Sequence, residues 1–152
     1  MIIMSYISKI SLKNIRGFQN LKIDLLQGEK QPNLLTLIIG RNGTCKTTLL
    51  RSIVIGLCSE TEAYALLSEP VGELITEGEH KAEIEMGLLS AEPLANPITI
   101  TTKIEQDRDK AVIRENSGDS RLPEPPFLCS YGTGRSATGS ETGRPYRIAD
   151  SV

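Results

Sequence analysis

The chain has 152 residues, enough for one domain that buries roughly 68–70% of its unfolded surface. Its 17 basic and 19 acidic residues leave a formal charge of -2, which excludes a strongly basic domain that grips nucleic acid through its overall field. No apolar run approaches the ~20 residues of a membrane span, and three cysteines without a C-x-x-C pair fit neither a disulfide framework nor a zinc site, so the expected location is the cytoplasm.

In chain order, "YISKISL" (6–12) and "NLKIDLL" (20–26) read as the two strands of a β-hairpin. Their connection, "KNIRGFQ", is basic and contains Gly17. "QGEKQPN" has turn chemistry, and "LLTLII" (34–39) is a short continuous apolar run of the kind that fills the centre of a covered sheet. Leu50, Ile53, Val54, Leu57 and Cys58 then recur at helical spacing, which predicts a helix with those residues on one face. "SETEAYALLSE" predicts a second short helix capped by Ser59 or Thr61.

Strands resume with "KAEIEMGL", where Ala82, Ile84, Met86 and Leu88 alternate against charged residues, and with "ITITTKI", where Ile98, Ile100, Thr102 and Ile104 alternate. "QDRDK" turns into "AVIRE" and closes an antiparallel hairpin. "NSGDSRLPEPP" reads as a loop and "FLCS" as a short buried strand. The tail from Tyr131 is rich in glycine and lacks apolar periodicity, so residues 1–130 are expected to form the folded unit and 131–152 a mobile segment.

The chemistry concentrates in "GRNGTCKTT" (40–48), which follows G-x-x-x-x-G-K-[ST] except that Cys45 replaces the second glycine. A strand that ends in such a turn and opens a helix aims several N–H groups, and the positive end of the helix dipole, at one anion. In that arrangement Lys46 reaches the β- and γ-phosphates and Thr47 supplies a hydroxyl to Mg²⁺. The amides from Asn42 through Thr48 hold the phosphate oxygens. If position 45 requires a positive φ, its side chain costs on the order of 1 kcal/mol, which weakens such a site without abolishing it.

The opening "ISLKNIRGFQNLKIDL", the "GRNGTCKTTLLRSI" segment and the later "CSYGTGRS" together resemble the ABC-type AAA ATPases of the SMC and RecF group, which serve DNA repair and anti-phage defence. The resemblance covers the N-terminal lobe of such a protein. It implies an α/β fold: a P-loop NTPase N-terminal lobe with a mixed β-sheet, antiparallel hairpins and a central P-loop strand followed by a helix.

The same resemblance implies ATP and Mg as cofactors, held by Gly40, Asn42, Gly43, Thr44, Cys45, Lys46, Thr47 and Thr48, with Thr47 on the metal. Arg16 is implied to approach the nucleotide from the first hairpin. Tyr131 and Arg135 are candidates for coupling the phosphate site to the rest of the machine. The implied partners are an absent C-terminal lobe or a second copy, and DNA or an effector subunit.

The sequence contains no apolar strand ending in Asp-Glu and no ABC signature segment. ATP binding without hydrolysis by this chain alone is therefore the expectation. Two alternatives are a scaffold or partner subunit whose loop is degraded at Cys45, and a P-loop kinase, for which the acidic stretch after the helix supplies no arginine-bearing lid.

Overall fold

The computed structural model describes residues 5–28, 31–33, 35–66, 70–90, 97–107 and 110–115. Strand β1 (Ser5–Ile15) pairs with β2 (Phe18–Asp24) across a two-residue tip, Arg16-Gly17, so both strands run closer to the turn than the sequence suggests. A minor ladder joins β3 (Leu26–Gln27) and β4 (Gln31–Pro32) around Gly28. Helix α1 (Lys46–Leu57), helix α2 (Glu60–Leu66) and a 3₁₀ turn (Val71–Leu74) follow. The chain then returns through β5 (Lys81–Ser90), β6 (Ile98–Asp107) and β7 (Lys110–Glu115).

The main sheet has the order β2-β1-β5-β6-β7 and is antiparallel throughout. Alternation decides its faces. Ile10 and Leu12 of β1, Ala82, Ile84, Met86 and Leu88 of β5, and Thr102 and Ile104 of β6 are buried on one side. Lys9, Lys13, Lys22 and Lys81 stand exposed. Two cross-strand ion pairs, Lys9–Glu85 at 2.8 Å and Lys81–Glu105 at 3.1 Å, belong to solvent-accessible side chains and contribute little stability. One extra residue, Ser8, interrupts the β1–β5 register opposite Gly87, where a Cβ would lie 2.8 Å from the serine hydroxyl.

Helix α1 lies against the buried face, but the residues it seats there differ from the expected stripe. Thr48, Leu49, Ser52, Ile55 and Gly56 are buried, while Leu50 is 54% exposed and Ile53 and Val54 are only half-buried. Small and polar residues allow the helix to approach closely. A Cβ at Gly56 would meet Met86 Cγ at 2.7 Å and Ile84 Cγ2 at 2.8 Å, and the hydroxyl of Ser52 donates to its own helix at Thr48 O, 2.8 Å away. Periodicity located the helix correctly. The expected face was right in part: Leu57 and Cys58 are buried together with Leu49 and Ile55, whereas Leu50 turns outward.

Ser59 caps α2 as expected: its hydroxyl donates to Glu62 Oε2 at 2.8 Å, and the Ser59 amide donates to the same oxygen at 2.9 Å. Tyr64 of α2 accepts from the Ile113 amide at 2.9 Å and ties the helix to β7.

The α/β character, the antiparallel hairpins and the loop followed by a helix agree with the sequence reading. The apolar run differs: residues 35–40 pair with no strand among the described residues, and Leu35, Leu37 and Ile39 are 87%, 77% and 84% exposed. A ladder needs a neighbouring edge, and the open edges of the main sheet, β2 and β7, are not paired with this segment. The "FLCS" strand and the tail lie outside the described residues.

Three outcomes are expected in chemical denaturation. Gly56→Val should destabilise by about 1–3 kcal/mol, because its methyls would overlap Ile84 and Met86. Thr102→Val should stabilise by about 1 kcal/mol, since Thr102 Oγ1 is buried without a hydrogen-bond partner. Burial, with a smaller effect from the Glu62 carboxylate, pushes the Cys58 thiol up to about 11. The folded chain thus holds that proton more tightly than the unfolded one. Stability should fall as pH rises from about 8.5 toward the folded value, and Cys58→Ala should remove that slope.

Candidate functional site

Residues 40–48 form a tight turn leading into α1. Gly43 has φ 81°, and Cys45, the N-cap, has φ 58° and ψ 21°. Position 45 therefore takes the left-handed conformation that a glycine adopts freely, at a strain on the order of 1 kcal/mol. Cys45 itself supplies no side-chain cap, and the first turn of α1 contains no acidic residue. The first intrahelical bond runs from Leu49 N to Cys45 O at 3.0 Å. The preceding amides of the first turn consequently have no intrahelical carbonyl and point out of the helix end.

The side chains close the loop from the other direction. Lys46 Nζ donates to Gly40 O at 2.7 Å and to Arg41 O at 2.6 Å, and lies 3.4 Å from Thr44 Oγ1. Thr44 Oγ1 donates to Arg41 O at 2.8 Å. Gly40 is required by space, because a Cβ there would stand 2.5 Å from the Thr44 hydroxyl. Asn42 and Thr47 are exposed, and Thr48 is buried under the helix. The ammonium, the uncapped amides and the free Thr47 side chain thus occupy one end of α1. That donor set fits a polyphosphate with its metal ion: the amides and Lys46 suit phosphate oxygens, and the Thr47 hydroxyl suits Mg²⁺. Among the described residues no cluster of His, Cys, Asp or Glu could hold a metal by itself.

Arg16 sits at the β1–β2 tip with φ 45°. Its amide donates to Leu74 O at 2.8 Å, its Nε to Glu73 O at 3.0 Å, and its guanidinium lies 3.6 Å from the Glu73 carboxylate. Thr76 Oγ1 donates to Arg16 O at 2.7 Å. The side chain is thereby directed to the 3₁₀ turn itself, and the neighbouring Gly17 is what lies against the 40–48 loop: a Cβ at Gly17 would lie 3.1 Å from Cys45 Sγ. Sequence reasoning singled out Arg16 and missed Gly17. The only available signal was a glycine at the centre of a basic hairpin connection. Tyr131 and Arg135 lie outside the described residues.

Comparison with known proteins bears on the fold and the family. The solved structure of the recombination mediator protein RecF with ATP, from the RecFOR pathway, shares the fold at a TM-score of 0.53 and 17% identity, over 78% of this chain and 30% of that one. The Septu protein PtuA of Bacillus mycoides (strain KBAB4) is 24% identical over 132 residues, which is 83% of this chain and 18% of PtuA. The chain thus spans less than a fifth of the length of that curated relative. A model of the AAA domain, AAA_23, matches residues 9–121. With a phosphate-type loop at the head of α1, a fold shared with RecF and a family match across most of its length, the chain belongs to the AAA domain family.

Proposed function

We propose that residues 40–48 bind MgATP, and that the chain works as the N-terminal nucleotide-binding lobe of a RecF-like, ABC-type ATPase. The observation that carries this reading is the left-handed Cys45, which turns the chain so that the uncapped amides of α1 and the Lys46 ammonium serve one end of the helix. Gly40, Asn42, Gly43 and Thr44 supply the loop backbone. Lys46 holds the β- and γ-phosphates, the amides of Cys45 to Thr48 complete the cradle, and Thr47 contributes one ligand to Mg²⁺. When bound, the metal neutralises charge on the β- and γ-oxygens.

Hydrolysis by this chain alone is not part of the proposal. The sequence has no apolar strand ending in two acids, and α1 has no acidic residue in its first turn to orient a water. Positioning and electrostatics supply nearly all of the catalysis in phosphoryl transfer. We assign the missing groups to a further lobe, on the same polypeptide or on a partner. Leu35, Leu37, Ile39 and Leu50, all exposed, are the surface such a lobe would cover.

In the complete assembly, which we place in the cytoplasm, ATP would join two such units and drive a change on DNA or on an effector subunit. Residues 1–130 would form the lobe, with Tyr131 and Arg135 in a following segment that couples the site to the rest. Among the described residues no helix is long and apolar enough to cross a membrane.

A second reading, a partner subunit whose loop is degraded, draws on two details: Cys45 stands in strained backbone, and Lys46 is engaged by its own loop carbonyls. Calorimetric titration of MgATP into the full chain separates the two. Saturable binding that weakens at least tenfold in Lys46→Ala, about what a charged hydrogen bond contributes, supports the nucleotide site. A folded chain that binds nothing, with or without Cys45→Gly, supports the partner subunit.

A further inference from the structure

The β1–β2 tip presents an inversion of ordinary turn chemistry. A two-residue hairpin turn with one positive φ normally places glycine at the first central position, where the left-handed conformation is needed. Here that position is Arg16, with φ 45°, while the glycine stands second, at Gly17, whose φ is outside the left-handed region. The conformational freedom of Gly17 is therefore unused. What the structure uses is its missing side chain, because a Cβ at Gly17 would approach Cys45 Sγ to 3.1 Å, tighter than ordinary van der Waals contact.

The tip behind that contact is held on its other side. The Arg16 amide and Nε, the Arg16 carbonyl with Thr76 Oγ1, and the isolated bridge between Ile15 and Ile75 attach it to residues 73–76. A displaced tip would have to break these bonds, so an added methyl at position 17 would push toward the sulfur. Cys45 is in turn the residue whose left-handed backbone starts α1.

We propose that Gly17 is a positioning residue for the phosphate loop: the braced hairpin tip bears on the Cys45 sulfur, and positions 17 and 45 form a matched pair that sets where the loop amides stand. This rests on the nucleotide-binding reading above. The pairing also accounts for how the loop accommodates a cysteine where its motif has glycine: the added sulfur lies over a residue that has no side chain. Residues in direct contact couple non-additively, and the expected coupling here corresponds to about a tenfold change in affinity.

The test is a double-mutant cycle in the full chain, comprising wild type, Gly17→Ala, Cys45→Gly and the double variant, read by MgATP calorimetry and by thermal melting. Gly17→Ala should weaken MgATP about tenfold when Cys45 is present and less than about twofold when position 45 is glycine, with the double variant restoring affinity toward that of Cys45→Gly. The melting temperature should fall by about 3 °C in the first background only. Equal effects of Gly17→Ala in both backgrounds would overturn the pairing. A melting cycle that couples while affinity does not would also overturn the positioning role, leaving a packing contact. If none of the four proteins binds MgATP, the nucleotide reading fails and the positioning role fails with it, whereas a coupled melting cycle would still establish the contact.

Discussion

The seating of α1 on β5 at Gly56 is the constraint on which the rest of the arrangement depends. A side chain of any size there would collide with Ile84 and Met86, so the helix comes closer to the sheet than an ordinary aliphatic stripe allows. Close seating determines where the helix begins as well as where it packs. Because the helix is anchored from Leu49 to Gly56, the position of its N-terminal amides and of the 40–48 turn follows from how it seats on the sheet.

Local strain is concentrated at the same corner. The described non-glycine residues with positive φ are Asn14, Arg16 and Cys45. Asn14 and Arg16 flank the end of β1, and Cys45 lies against the tip between β1 and β2. Asn14 and Arg16 are held by bonds that local sequence does not supply. The Asn14 amide group donates to Glu79 and to Lys81 O, and its carbonyl accepts from Thr76. Strained backbone persists where tertiary structure over-determines it, and such positions gather at functional sites. Here the tip is bonded to residues 73–76 and lies close to Cys45 at the head of α1.

The apolar segment before the loop shows the converse case. Leu35, Leu37 and Ile39 have the composition of a central strand, yet nothing among the described residues pairs with them or covers them. Composition states what a segment can become, whereas a ladder requires a second edge at about 4.8 Å. The outward side of α1 follows the same logic. Leu50 has the helical spacing of a core residue, yet its side chain is 54% exposed on the side of α1 away from the main sheet.

Sequence by itself determined most element types, residues 35–40 being the exception, and located the candidate loop at the head of α1. Alternation in "KAEIEMGL" and "ITITTKI" specified which residues face the core, since a one-residue slip would invert every side chain, and a cap at Ser59 or Thr61 announced the second helix. The spacing of Gly40, Lys46 and Thr47 announced a tight turn opening a helix. Tertiary structure alone decided the rest: which face of α1 meets the sheet, where the Arg16 guanidinium goes, and that Gly17 touches Cys45. The physical reason is range. Periodicity and motif spacing record interactions within a few residues, while close packing between positions 17 and 45, or 56 and 86, depends on a register and a helix approach that local sequence does not encode.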